Sequence, residues 1–227
     1  MNSSRLPGKV LMQVKDKPLL LHMYQRVIDA NEIDEVIIAT SGQKSDEGIV
    51  EFCKLNKIVY FCGSLDDVLD RYYHAAKIIN ASIVVRLTGD CPIIDPRVID
   101  SVVSIYKNEN YDFVANTAPP DGITYPEGMD VEVFSMSALE KAWIEAKKPS
   151  EREHVTFYFW KNPDKFKSFR TDLTYNHSNY RLTVDYLEDF IVVTKIIDAL
   201  YSKDVIFTME DIFKFLDQNP DIHEINN

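Results

Sequence analysis

The sequence predicts an α/β fold, a Rossmann-like, doubly wound and mainly parallel sheet. Three observations predict it. Short β-branched runs recur without in/out alternation at residues 36–40, 58–61 and 83–87, with a weaker fourth at 113–115. Such runs suit strands buried on both faces, as inside a parallel sheet. Helical stretches lie between them, a β-α-β-α rhythm that right-handed crossovers turn into helices on both faces. Acids close two apolar runs, Asp90 after 83–87 and Asp185 after 182–184. Sheets of this kind hold ligands beyond the carboxyl ends of their strands.

The chain has 227 residues, 45% of them hydrophobic. That is enough for one substantial core. We expect a single domain over 1–227, with an inserted subregion at about 119–180. The formal net charge of -11 is repelled by phosphate backbones and anionic lipid, so nucleic-acid coating and membrane docking are excluded as bulk functions. A small anionic substrate held by local cations is not. Cys53, Cys62 and Cys91 are odd in number and form no C-x-x-C pair, so reduced, buried thiols are expected rather than disulfides or zinc. No stretch approaches the ~20 apolar residues of a membrane helix, and no signal-like run opens the chain. A soluble, cytoplasmic protein is expected.

In chain order, Asn2-Ser3-Ser4-Arg5-Leu6-Pro7-Gly8-Lys9 comes first. It offers hydroxyls, two cations and a glycine that lets backbone approach closely, suitable parts for a triphosphate. It is not a Walker A loop: the first Gly is absent and Val10 stands where a hydroxyl belongs. An exposed basic turn is the competing reading. Pro18 opens a helix whose Leu20, Met23, Tyr24 and Val27 share a face. Ser45 reads as an N-cap before Asp46 and Glu47. Ser64-Leu65-Asp66-Asp67 reads as a capping-box-like start for a helix through Arg71 and Ala76. Leu87-Thr88-Gly89-Asp90-Cys91-Pro92 puts a carboxylate at a strand end, as a Mg²⁺ ligand or as a helix cap.

Beyond Pro119 the rhythm breaks. Pro119-Pro120-Asp121-Gly122 is a turn. Residues 129–134 alternate polar with apolar, a half-exposed strand. A helix follows at 137–146, then the charged stretch Glu151-Arg152-Glu153-His154, further strands at 166–171 and 180–184, and closing helices at 190–201 and 209–216. Glu188 and Asp189 read as acids at a helix start.

Six blocks in order resemble the spore-coat polysaccharide cytidylyltransferase family, relatives of the acylneuraminate and KDO cytidylyltransferases. They are Ser3-Ser4-Arg5-Leu6-Pro7-Gly8-Lys9, residues 66–73 (DDVLDRYY), residues 87–92 (LTGDCP), residues 128–134 (GMDVEVF), Arg152-Glu153-His154-Val155-Thr156, and Leu182-Thr183-Val184-Asp185. The resemblance spans most of the chain. It implies the nucleotide-diphospho-sugar transferase type of sheet and transfer of CMP from CTP to a sugar acid, with pyrophosphate release. It implies that Ser3, Ser4, Arg5 and Lys9 hold the CTP phosphates, with Arg71, Thr88 and Gly89 near the nucleotide. Asp90 and Asp185 would hold Mg²⁺, with Arg5, Lys9 and Asp90 catalytic. Asp130, Glu132, Arg152 and His154 would line the acceptor side. The residues alone leave Asp130 and Glu132 readable as an exposed face, and 151–153 as solvated helix charge. Relatives often dimerise through the inserted region, so a homodimer is implied.

In the family the first loop follows an apolar strand ending in Ala-Arg, and Met1 stands just after that position. A working protein with an earlier start is expected, and the chain as given should be unstable or recruit a substitute strand. Leu187 and Phe157 stand where relatives often carry Pro. A nucleotide-sugar glycosyltransferase is the alternative, weakened because Asp90 begins no Asp-x-Asp. A non-catalytic paralogue is the other.

Overall fold

The computed structural model describes residues 5–202 and 205–226; Ser3 and Ser4 lie outside them. The chain turns at Gly8, whose φ of 74° is one that glycine adopts at no steric cost. It then forms a small hairpin, β1 (Gln13–Val14) against β2 (Lys17–Pro18). Helix α1 (Leu19–Val27) begins directly after Pro18 and buries Leu20, Met23 and Val27. Next, β3 (Ile37–Ser41), α2 (Glu47–Asn56) and β4 (Val59–Gly63) make a βαβ unit. Its strands run parallel, from Ile37 opposite Val59 to Ser41 opposite Gly63. Asp46, not Ser45, stands before α2. Its buried carboxylate accepts from the hydroxyls of Thr40 and Ser41, so its role is to tie the strand end to the helix start.

Helix α3 (Val68–Ile78) starts at Asp67, whose carboxylate accepts from the Asp70 amide at 2.9 Å. Strand β5 (Ile83–Arg86) follows, then α4 (Pro96–Asn108), with Asp95 as N-cap and Pro96 in the first turn. After them come β6 (Phe113–Ala115), β7 (Glu132–Ser135), α5 (Met136–Glu145), α6 (Pro149–Glu153), α7 (Phe157–Trp160) and β8 (Ser168–Arg170). Helices α8 (Leu187–Leu200), α9 (Met209–Gln218) and α10 (Pro220–His223) close the chain. The second sheet has the order β5-β7-β6-β8, with β7 antiparallel to both neighbours and β8 parallel to β6. Strands from the 119–180 region thus lie in the same sheet as β5. One core lies under α4, α8 and α9, around Ile99, Val133 and Ile196. Another lies on the opposite sheet face, around Leu69, Phe134 and Phe159. A small third cluster (Leu20, Ile49, Phe52, Cys53, Ile58) belongs to the β3–β4 unit.

Two expected elements are corrected. β7 is not half-exposed: Glu132, Val133 and Phe134 are all buried, because the strand sits between β5 and β6. Its alternation marks an internal ion pair, not a wet face. Residues 180–184 form no strand; they make one bridge to Glu127 and bind loops on either side. The Leu182 amide donates to the Glu127 carbonyl at 2.7 Å, and the Val184 amide to the Asp90 carbonyl at 2.8 Å. This strap passes so close to Gly128 (φ 98°) that a Cβ there would stand 2.5 Å from the Leu182 carbonyl carbon.

All three cysteines are free; Cys53 and Cys91 are buried but Cys62 is exposed. No helix among the described residues is long and apolar enough to cross a membrane.

Candidate active site

The site is assembled by three segments that meet at the carboxyl end of β5. The turn after β5 is closed by the Cys91 amide donating to the Thr88 carbonyl at 3.1 Å, and it presents Asp90. The strap is pinned to that turn by the Val184 amide and by the Thr183 hydroxyl, both donating to the Asp90 carbonyl. The next residue, Asp185, is therefore delivered beside Asp90. The amino-terminal loop supplies the third segment. The Lys9 ammonium donates to Asp90 Oδ2 at 3.1 Å and to Asp185 Oδ1 at 2.8 Å. Arg5 reaches Asp185 Oδ2 at 3.2 Å from the exposed side. Val10 packs near Gly89, where a Cβ would find it at 3.6 Å.

A second layer orients Asp185. Asp189, 1% exposed, folds back from the first turn of α8 and accepts from the Asp185 and Tyr186 amides, both at 2.9 Å. Arg181 Nε and Asn226 Nδ2 also donate to it at 2.9 Å. Arg181 in turn reaches Asp185 at 3.3 Å and pairs with Glu127. Burial pushes the Asp90 carboxyl up, but the Lys9 ammonium and the Thr88 hydroxyl outweigh it and hold it below the ordinary value. Asp90 therefore stays ionised beside a cation.

Asp90 and Asp185 present hard oxygen donors converging on one positive charge. No cluster of three or more His, Cys, Asp or Glu side chains suited to a metal occurs among the described residues. Two carboxylates fit an ion that takes its other ligands from substrate phosphates and water, the habit of Mg²⁺. The Lys9 ammonium marks where positive charge is stabilised.

The residues expected on the acceptor side are arranged differently. Glu132 pairs with Arg86 and accepts from the Thr156 hydroxyl at 2.6 Å. Thr156 is aimed there by a tight turn in which its amide donates to the His154 carbonyl, with Val155 held at φ 42°. A β-branched residue at positive φ is strained backbone. The Asp130 carboxylate accepts from the Gly128 amide at 2.9 Å, and burial raises its pKa. His154 is exposed and packs on Phe157, ring centroids 4.4 Å apart. Arg152 has other partners. It pairs with Asp67 at 2.7 Å and donates to the Trp143 carbonyl at 2.6 Å, joining α6 to the start of α3. Arg71 donates to the Ser64 carbonyl at 2.6 Å, behind the turn that opens α3.

No site role for Arg181, Asn226, Arg86 or Thr156 follows from the sequence, and Asp189 reads there only as an acid at a helix start. Asp189 did carry a signal: it lies four residues after Asp185, within reach of a helix start folding back on its own backbone. A solvated first-turn acid has the same sequence signature.

A cationic loop set against two aspartates at the carboxyl edge of an α/β sheet suits the nucleotidyltransferase class. Comparison with known proteins narrows it. The cytidylyltransferase family model matches residues 1–218, and the chain belongs to that family. It is 36% identical to an uncharacterized protein of Methanocaldococcus jannaschii over 99% of this chain and 90% of that one. It is 30% identical to the spore coat polysaccharide biosynthesis protein SpsF of Bacillus subtilis, over 97% of this chain and 92% of that protein. A 3-deoxy-manno-octulosonate cytidylyltransferase of Geobacter metallireducens is 32% identical over 45% of this chain and 39% of its own. The solved structure of a cytidylyltransferase from Leptospira borgpetersenii serovar Hardjo-bovis superposes with TM-score 0.90 at 35% identity, covering 98% of this chain and 92% of that one.

Proposed function

We propose that this chain transfers CMP from CTP to a sugar acid of the KDO or nonulosonic kind, releasing pyrophosphate, in the synthesis of a surface polysaccharide. One observation carries the reading: Asp90 and Asp185 come from 81 and 176 residues away to share the Lys9 ammonium. The names of the Bacillus and Geobacter relatives favour a polysaccharide pathway and a sugar-acid acceptor. In the reaction an acceptor oxygen bonds to the α-phosphorus as the bridge to the β-phosphorus breaks, and pyrophosphate carries away the charge. Arg5 and Lys9 hold the phosphates and stabilise the negative charge that builds on the leaving group. Such transfer depends on positioning and charge neutralisation. Asp90 and Asp185 would hold Mg²⁺, which when bound supplies charge neutralisation on substrate oxygens. Asp189 and Arg181 keep Asp185 pointed at that position. Asp130 and the Arg86–Glu132–Thr156 group shape the acceptor side.

The test is to incubate the protein with CTP, Mg²⁺ and a panel of eight- and nine-carbon 2-keto sugar acids, following pyrophosphate and the CMP-linked product. Pyrophosphate release that requires both CTP and a sugar acid, and that Asp90→Asn removes, supports the reading. Release that prefers another nucleotide or a sugar phosphate overturns it. Nucleoside diphosphate set free from a nucleotide sugar, without pyrophosphate, would instead mark a glycosyltransferase.

A further inference from the structure

The strap that delivers Asp185 is held by the closing helices as well as by the Asp90 turn. Its first residue, Tyr180, donates its hydroxyl to Asp217 of α9 at 2.5 Å. The Tyr180 ring stacks on Phe213 of α9, centroids 4.6 Å apart, and on His223 of α10, 4.7 Å apart. Ile222 and Ile225 pack against the core under α8 and α9, and the chain then brings Asn226 to the strap. Asn226 meets two acceptors at once. Its Nδ2 donates to the Arg181 carbonyl at 3.0 Å and to Asp189 Oδ1 at 2.9 Å, 45 and 37 residues earlier in the chain. A primary amide carries two N–H groups on that one atom, so both are used; a hydroxyl supplies one donor and a carboxylate none.

We propose that Asn226 is a positioning residue of the active site: through Asp189 and the Arg181 carbonyl it braces the backbone at 185–186, and so sets how the Asp185 carboxylate meets a bound cation. Both of its acceptors back Asp185. Asp189 takes Asn226 and Arg181 Nε on Oδ1, and the Asp185 and Tyr186 amides on Oδ2. Arg181 spans from Asp189 to Asp185, and Asn226 pins its backbone. Asp189 is 1% exposed, so water cannot readily replace a lost donor, and a buried carboxylate short of a partner shifts towards those it keeps. The direction of Asp185 matters because Lys9, which now shares it with Asp90, is the group a divalent ion would displace. Outer partners then have to hold the carboxylate in place, and such partners carry about 10–100-fold of metal affinity or activity. The inference rests on reading Asp185 as an ion ligand; the brace on residues 185–186 does not.

The experiment uses the whole chain and two variants. Asn226→Leu keeps the size and removes both donors. Ile222→Ala loosens the packing of the same segment and removes no donor from either acceptor. Three quantities are read: amide hydrogen exchange at Asp185 and Tyr186 without ligand, Mn²⁺ binding in the presence of CTP by water proton relaxation, and the melting temperature. We expect Asn226→Leu to speed exchange at those two amides about tenfold and to weaken Mn²⁺ binding about tenfold, with exchange in β5 and β7 unchanged. Ile222→Ala should lower the melting temperature and leave both other readings near those of the parent. The proposal is overturned if Asn226→Leu leaves the two amides as slow as in the parent, or speeds exchange everywhere in step with a lower melting temperature. It is also overturned if Ile222→Ala reproduces both effects, or if Mn²⁺ affinity is unchanged while the amides are faster, since the brace would then not reach the carboxylate. A parent that binds no Mn²⁺ with CTP overturns instead the reading of Asp90 and Asp185 as ion ligands, and the exchange measurement still decides whether Asn226 braces residues 185–186.

Discussion

Two pairs of acids in this molecule look alike in sequence and behave differently in the fold. Asp90 and Asp185 each follow an apolar run, and Asp130 and Glu132 flank the start of another. In the first pair, both carboxylates share a flexible lysine ammonium on a loop. In the second, Glu132 is bound to Arg86 and Thr156, while Asp130 accepts from the Gly128 amide and the Thr117 hydroxyl. A lysine on a long stem can give way to another cation at little cost. A largely buried guanidinium on the strand beside β7 cannot. Burial works against the charge of Arg86, yet Glu132 and Tyr72 overcome it and raise its pKa. What separates the pairs is the exchangeability of the partner, not the acid itself, and this is what favours the first pair as ligands in the proposed reaction.

The largest effect should separate the pairs kinetically. Asp90→Asn and Asp185→Asn should each cut the rate of pyrophosphate release on the order of 10³-fold, with melting temperatures close to the parent. Equal loss of rate on Glu132→Gln, without loss of stability, would erase the distinction. The next effect is thermodynamic. Glu132→Gln leaves Arg86 charged and largely buried, and should cost about 3 kcal/mol in urea unfolding. Replacing both residues, Arg86→Met with Glu132→Leu, should recover most of that loss, since an apolar pair leaves no stranded charge.

Arg152 sharpens the contrast from a third position. Its guanidinium makes charge-assisted hydrogen bonds to Asp67, and both side chains are partly exposed, at 19% and 35%. Arg152→Ala and Asp67→Ala should show a coupling of about 1 kcal/mol in a double-mutant cycle. The KM for the sugar acid should stay unchanged in Arg152→Ala. A tenfold rise in KM with no coupling would return Arg152 to the acceptor side.

These distinctions were only partly legible in the chain. The β-branched runs at 36–40 and 83–87 announce strands because burial on both faces demands apolar residues at every position. The placing of Asp90 and Asp185 at the ends of such runs was legible for a related reason, but their sharing of Lys9 was not, since that residue lies 81 and 176 positions away. β7 was misread because alternation reports polarity, not exposure. Glu132 is polar yet buried, its partner Arg86 lying 46 residues away. The pairing of Arg152 was not legible because its partner Asp67 lies 85 residues away, and spacing says nothing about pairing at that range. Asp189 was seen as a helix-start acid, which it is, but not as the group that fixes the Asp185 backbone.

The smallest effect concerns Asp130, whose carboxylate makes no ion pair among the described residues. Burial raises its pKa, and the nearby charges of Glu132 and Asp90 act in the same direction, against the Gly128 amide and the Thr117 hydroxyl. A carboxyl whose folded-state pKa exceeds its unfolded one contributes stability below the unfolded value and loses it as pH rises through the folded value. Asp130→Asn keeps an oxygen for the Gly128 amide but cannot ionise. The stability of the parent minus that of the variant should therefore fall as pH climbs from about 4, near the ordinary aspartate value, and level off above the raised value. Titratable groups common to both proteins largely cancel in this difference, which urea unfolding at closely spaced pH values can follow. A difference that rises with pH would mean that Asp130 ionises more readily in the fold than in the open chain. It would then share the character of Asp90, and the division between the two pairs would fail at that residue.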